Sequence, residues 1–249
     1  MENMWLRGKM LNKLILIIIS ITDHFHKKKI VKFLKKEKLT NFKYIFDVGA
    51  HRGETVKFFF KNFNFDKIYS FEPIPETFQV LKKNIEKLNA SKKDKIVIEN
   101  LALGKTEKKI SIKQMIESSS STIREINESS KYFNKKKKLL YSSKSDFFKK
   151  IDVNQTTLKK YVSLNSINKI DFLKIDTEGY ELDVLQGLEE YITSVRYILF
   201  EHHYHDMIKK KYTFSDINKL LMQNSFKQIY KSKMPFRKTF EYIYEKQPN

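Results

Sequence analysis

The sequence has no cysteine, and its 249 residues include only 4 prolines, 6 glycines and 1 tryptophan. Without cysteine there is no disulfide, no thiolate metal site, no iron–sulfur cluster and no cysteine nucleophile. The same absence argues against a small secreted scaffold. Arginine is scarce as well. Arg7, Arg52, Arg124, Arg196 and Arg237 are the whole set, so 44 of the 49 basic residues are lysine. Readers of nucleic acid favour arginine for its bidentate contacts to phosphate and guanine. The net charge of +20, left against 29 acidic residues, therefore reads as solvated lysine faces rather than a built polyanion site. Long apolar runs are missing too: the longest, Leu14–Ile21, has 8 residues, against about 20 needed to cross a bilayer.

That run raises the membrane question. Arg7, Lys9 and Lys13 precede it as in a signal peptide, but Thr22, Asp23 and His24 follow, with no small-residue cleavage site. The expectation is a cytoplasmic protein without integral membrane insertion, residues 1–40 forming a helical extension packed on the domain. A rival reading lays this helix on an anionic membrane as a peripheral contact, with Trp5 and Lys27–Lys29 at its polar edge.

From residue 44 on, short apolar runs alternate with helical patterns, as in a mostly parallel sheet with helices on both faces. Strands are predicted at Tyr44–Val48, Lys67–Phe71, Ile96–Asn100, Asp171–Ile175 and Tyr197–Glu201. Helices are predicted at Glu54–Asn62, Glu76–Leu88, Thr157–Leu164, Leu182–Tyr191 and Phe214–Asn224. Two last strands, Phe226–Tyr230 and Phe240–Tyr244, have no helix between them. Parallel neighbours need a crossover of a dozen residues, so this pair should be an antiparallel hairpin closing a seven-stranded sheet. Residues 105–156 break the rhythm, with one short strand (Lys109–Lys113), a serine run (Ser118–Ser121) and the lysine run Lys135–Lys138. They read as an insertion within a single domain over 41–249, either a surface excursion or a substrate lid.

The first strand runs into Asp47-Val48-Gly49-Ala50-His51-Arg52-Gly53. Gly49 lets the backbone turn sharply and Gly53 lets the next helix approach closely. Phe71-Glu72-Pro73 ends the second strand, and Glu72 lies 19 residues beyond Gly53, where a carboxylate can hold both ribose hydroxyls of an adenosine. The dinucleotide spacing G-x-G-x-x-G is not met, and Asp47 would repel a pyrophosphate. S-adenosylmethionine, with a sulfonium, an ammonium and no phosphate, fits better.

These segments, IFDVGAHRGETV, YSFEPIPETFQVLKKNI, IENLALG, IDFLKIDTEGYELDVLQGL and ILFEHH, occur in order over residues 44–205. Together they resemble the FkbM-type S-adenosylmethionine-dependent methyltransferases. The resemblance implies a class I (Rossmann-like) methyltransferase fold and transfer of a methyl group, usually to a hydroxyl oxygen. It assigns Asp47, Gly49 and Gly53 to the methionine end of the cofactor, Glu72 to the ribose, and Ala102 and Leu103 to the adenine.

The second cluster is Lys174-Ile175-Asp176-Thr177-Glu178-Gly179-Tyr180-Glu181, at the carboxyl end of the fourth strand, where open α/β sheets bind ligands. Alternation puts Lys174 and Asp176 on one side of the strand. A plain helix start, capped by Asp176 or Thr177 with Glu178 and Glu181 in its first turn, explains the acids but not a lysine inside an apolar strand. Glu201-His202-His203 ends the fifth strand beside it. Asp176 and His202 are the candidates for a base that takes a hydroxyl proton. Lys174 would orient a carboxylate or the acceptor, with Glu178, Glu201 and His203 towards the substrate. Glu201, His202 and Asp176 could gather a divalent cation, but no close-spaced ligand motif supports it.

The sequence thus leads to methyl transfer onto the oxygen of a small-molecule or saccharide acceptor. Its rivals are an RNA methyltransferase, prompted by the charge, and a nucleoside-binding module without catalysis.

Overall fold

The computed structural model describes residue 18 and residues 21–115, 121–140 and 148–248. Trp5, most of Leu14–Ile21 and Ser118–Ser120 lie outside them.

A helix, α1 (21–36), leads into the alternating segment: β1 (Asn41–Val48), α2 (Glu54–Asn62), β2 (Asn64–Phe71), α3 (Pro75–Glu86), a single turn α4 (Ala90–Lys93) and β3 (Ile96–Glu99). The insertion region follows, with β4 (Ala102–Leu103), β5 (Lys108–Met115), β6 (Glu125–Ile126), α5 (Lys131–Leu140) and β7 (Phe148–Thr156). The chain then returns through α6 (Leu158–Leu164), β8 (Ile170–Ile175), α7 (Glu181–Gln186), β9 (Val195–His203), β10 (Ile208–Lys209), α8 (Phe214–Gln223), β11 (Phe226–Lys233) and β12 (Thr239–Lys246).

Seven strands form the main sheet in the order β11-β12-β9-β8-β1-β2-β3. β3, β2, β1, β8 and β9 are mutually parallel, whereas β12 runs antiparallel to both β9 and β11. The expected hairpin is there, and its second strand is threaded between β9 and β11. Both faces are apolar because the strands are covered on both sides. Phe46, Val48, Leu173, Ile175, Ile198 and Phe200 pack beneath α6, α7 and α8. Ile45, Ile68, Phe172, Tyr197 and Leu199 pack beneath α1 and α2, where Ile30 and Leu34 of α1 join Val56 and Phe59. Burying one such side chain fully contributes about 1.5–3 kcal/mol.

Two elements differ from their sequence pattern. The helix expected over Leu182–Tyr191 ends at Gln186, and a 3-10 helix follows over Glu189–Ser194. The break falls at Gly187, where an added Cβ would stand 2.1 Å from the Gly104 carbonyl oxygen, so two backbones meet with no room for a side chain. The insertion is also more regular than its sequence suggests. β7 pairs antiparallel with all of β5 and parallel with β4, making a second small sheet. The lysine run belongs to α5. β6 pairs with β10, and Thr122 and Lys113 exchange backbone hydrogen bonds of 2.8 and 3.1 Å.

Candidate active site

The carboxyl edge of the sheet opens where β1 and β2 give way to their loops. Gly49 sits at that opening with φ +81°, its N–H donating 3.0 Å to the Phe71 carbonyl oxygen. The Asp176 N–H donates 3.0 Å to the Val48 carbonyl on the other flank. A Cβ on Gly49 would lie 1.9 Å from the Asp176 carbonyl oxygen. The turn is therefore clamped between β2 and β8, and only glycine fits it.

A cleft of about 700 Å³, open to solvent, lies over this turn. Gly49, Glu72, Ala102, Leu103, Asp176 and Glu178, six of the candidate site residues, line it. Glu72 is 5% exposed and accepts backbone N–H bonds from His51 at 2.9 Å and Ile74 at 3.0 Å. Burial outweighs these bonds and pushes its carboxyl up to about 7. The sequence allowed the insertion as a substrate lid but singled out none of the residues of the wall it forms. Ile112 of β5 and Ser121 and Ile123 beyond it enter the cleft from the insertion. Only the three-dimensional return of this segment reveals it. The Thr122 hydroxyl donates 2.7 Å to the Glu178 carbonyl, the Arg124 Nε donates 3.1 Å to the Gly179 carbonyl, and Arg124 also pairs with Asp183. The insertion is thus pinned to the loop that carries Asp176 and Glu178.

Other predicted residues stand behind the cleft. Asp47 is fully buried, and alternation along β1 turns it away from the side that Val48 faces. Its Oδ1 lies 3.0 Å from Lys174 Nζ, which also reaches Asp176 Oδ2 at 3.6 Å and donates 3.1 Å to the Gly49 carbonyl. Burial disfavours the Lys174 ammonium, but Asp47 and Asp176 overcome that and hold its pKa above the ordinary lysine value. Burial raises the Asp47 carboxyl against the pull of the same lysine. Lys174 is therefore a tie between the glycine turn and Asp176. Gly53 is the N-cap of α2 and packs on Leu81, one layer from the opening.

The pairing of Asp176 with His202 needs correcting. β9 continues to His203, so Glu201 and His203 point to one face and His202 to the other. His202 is 2% exposed among the rings of Tyr204, Tyr212 and Phe214, with Lys210 Nζ 3.4 Å from its Nε2. Burial and the neighbouring Lys210 charge bring its pKa down to about 3. It does not line the cleft. The histidine on the Asp176 side is His203, whose Nε2 lies 3.2 Å from both Glu178 Oε2 and Glu201 Oε1. Burial opposes its charge, yet the two carboxylates lift it to about 9, and burial lifts Glu201 to about 7. Glu181 is fully buried as well. It accepts from the Gly179 N–H at 2.9 Å, from Thr177 and from the Tyr212 hydroxyl, so it shapes the loop rather than facing a ligand. Among the described residues no group of three or more His, Asp or Glu is arranged to hold a metal ion.

The strand order, the single antiparallel strand and the glycine turn at the carboxyl edge are those of a class I methyltransferase. The methyltransferase FkbM domain matches residues 47–230, and the chain belongs to that family. Among solved structures, it is similar to the FkbM methyltransferase of Methylobacillus flagellatus KT, with 14% identity and a TM-score of 0.51. That alignment covers 81% of this chain but 43% of the other protein. TrmK of M. capricolum, solved with S-adenosyl-homocysteine, shares 10% identity over 87% of this chain and 68% of its own, with a TM-score of 0.49. A putative RNA methyltransferase, PH1948 from Pyrococcus horikoshii, shares 10% identity over 90% of this chain and 85% of its own, at 0.45. No curated protein matches the sequence.

Proposed function

We propose that this chain uses S-adenosylmethionine to methylate a hydroxyl oxygen on a small-molecule or saccharide acceptor. The observation that carries the reading is one opening with two kinds of carboxylate: Glu72 beside the Gly49 turn, and Asp176 with Glu178 across from it. The cradle fits the cofactor. Gly49, where a Cβ would run into the Asp176 carbonyl, holds the turn tight at the floor of the cleft, and Glu72, though bonded to two amides, keeps lone pairs for ribose hydroxyls. Ala102, Leu103, Ile74 and Ile112 offer an apolar wall for adenine. Asp47 and Gly53 support the methionine end through the turn rather than by touching it.

When bound, S-adenosylmethionine supplies a methyl group already activated by a sulfonium. The protein's share is alignment, exclusion of water and a place for one proton. Asp176 lines the cleft and takes the proton from the acceptor hydroxyl, while Lys174 fixes its carboxylate. Glu178 holds the acceptor, backed by His203 and Glu201. The insertion residues Ser121 and Ile123 close the opening as a lid over the acceptor.

Calorimetry with S-adenosylmethionine and S-adenosylhomocysteine tests the first half, and methyl transfer to a panel of saccharides tests the second. No binding of either nucleoside would end the reading. The charge of +20 favours RNA as the rival acceptor. The carboxylates in the cleft argue against a phosphate-bearing one, and RNA binding that falls steeply with salt would reverse that judgement.

A further inference from the structure

One face of α1 is exposed among the described residues. Its inward face is fixed: Asp23 Oδ2 pairs with Arg237 at 2.9 Å, His26 meets Glu241 at 2.5 Å, and Ile30 and Leu34 are buried. On the opposite side, Ile21 and Phe25 are 50% and 57% exposed. At 100° per residue these positions share one stripe with Lys28, Lys32 and Lys36, all exposed, and Lys29 lies at its border. The stripe is apolar at its start and basic further on. Lys28 Nζ lies 5.5 Å over the Phe25 ring, its stem covering the aromatic while its charge stays outside.

The apolar end of α1 reaches a second exposed set. Arg237, its partner, is the chain neighbour of Phe236, the most exposed large hydrophobic at 84%. Tyr204, 47% exposed, donates its N–H 2.7 Å to the carbonyl of Lys238. Ile21, Phe25 and Phe236 thus lie on α1 or on the turn that its Asp23 grips, whereas the Tyr204 ring turns to the other face of the sheet, against His202, Phe214 and Phe240. That turn enters β12 at Thr239, paired with His203 at the carboxyl end of β9, so the set shares the sheet edge with the cleft. Lys233 and Lys238 are exposed on the same turn. Scattered exposed hydrophobics need no explanation; a gathered set ringed by one sign of charge does.

We propose that this edge docks on an anionic lipid bilayer, with Ile21, Phe25 and Phe236 entering the headgroup boundary and Lys28, Lys29 and Lys32 meeting the anionic headgroups. The chemistry selects this partner over a second copy of the chain, because two such lysine-ringed faces would repel each other. Diffuse lysine charge, with Arg237 already paired to Asp23, suits a fluid headgroup layer better than a shaped protein site. The sequence just before α1 continues the apolar character through Leu14, Ile15, Leu16 and Ile17. No helix among the described residues is long and apolar enough to cross a membrane, so the contact is a surface one. Docked in this way, the cleft mouth lies beside the lipid surface. The proposal does not depend on the identity of the methyl acceptor.

The test is co-sedimentation of the full chain with vesicles of phosphatidylcholine alone and with one third phosphatidylglycerol, across a salt series. Binding to the anionic vesicles only, weakening as salt rises, is expected. Phe25→Glu with Phe236→Glu should abolish it, and Lys28→Glu, Lys29→Glu and Lys32→Glu together should weaken it on the order of 100-fold, at roughly fivefold per lysine. All five positions are exposed, so melting temperatures should match the parent, and sedimentation velocity without lipid should show one species. No binding to anionic vesicles, or binding that both variants retain, overturns the proposal. Self-association lost in the Phe25→Glu, Phe236→Glu variant would assign the edge to a second copy and overturn it as well.

Discussion

Glu72 shows how much one side chain can be asked to do. Burial raises its carboxyl to about 7, so near neutral pH only part of the population carries the charge that the proposed ribose contact needs. If the ionised form binds, affinity for S-adenosylmethionine should fall about tenfold per pH unit below that value and level off above it. Glu72→Gln should weaken binding by roughly 1.5–3 kcal/mol per lost charge-assisted bond and flatten the pH dependence. Calorimetry at pH 6, 7 and 8 checks both, and an unchanged slope in the variant would remove Glu72 from the ribose. A second residue-scale prediction separates Asp176 from His202. Asp176→Asn should lower kcat on the order of 10²–10⁴-fold with cofactor affinity intact. His202→Ala, buried on the other face, should lower the melting temperature and leave the chemical step nearly alone. The double variant should then be additive, because the two side chains share no cleft. Strong coupling would reinstate His202.

At the scale of elements, patterns that repeat within a strand or helix were readable, and contacts made across the chain were not. α2 falls where its periodicity placed it, Glu54–Asn62, and the glycine turn before it was legible because turn chemistry is local. β7 was not legible. Its sequence FKKIDVNQT buries only Val153 and Gln155 fully, since it pairs in a small sheet with one face open, and so gives no clean alternation. The pairing of His202 with Asp176 failed for a related reason. The apolar run that defines β9 stops at Phe200, whereas pairing with Thr239 and Phe240 carries the strand on to His203. The insertion's place over the cleft depends on Arg124, which binds the Gly179 carbonyl, pairs with Asp183 and lies 4.7 Å over the Tyr180 ring. Arg124→Ala should release that wall. The acceptor KM should rise at least several-fold and proteolysis within 116–147 should quicken, while the main sheet melts nearly as before. Lysine would keep the charge but not the planar stack, so Arg124→Lys should rescue only in part.

Across the whole molecule, the buried ionisable groups set a stability profile whose sign can be worked out. Glu72 and Glu201 stand at about 7 in the fold against 4.5 unfolded, so the folded chain holds the extra protons and stability falls as pH climbs through that interval. His203 stands at about 9 against 6.5, so what it contributes is complete below 6.5 and is lost by about 9. His202 and His205 run the other way: burial keeps both neutral down to about 3, so stability is lost as pH drops from 6.5 towards that value. Between 4.5 and 6.5 the two raised carboxyls and the two lowered imidazoles oppose each other. Above 6.5 every one of these groups that still titrates works against the fold. The melting temperature should therefore be broad and highest near pH 5–6, decline steadily to pH 9, and drop again below pH 4.5. His203→Gln should flatten the alkaline decline specifically, because it removes the group whose proton Glu178 and Glu201 hold in place. A melting temperature that rose from pH 6.5 to 9 would mean that His203 is not held protonated between those carboxylates. The support proposed for Glu178 at the acceptor end of the cleft would then be lost with it.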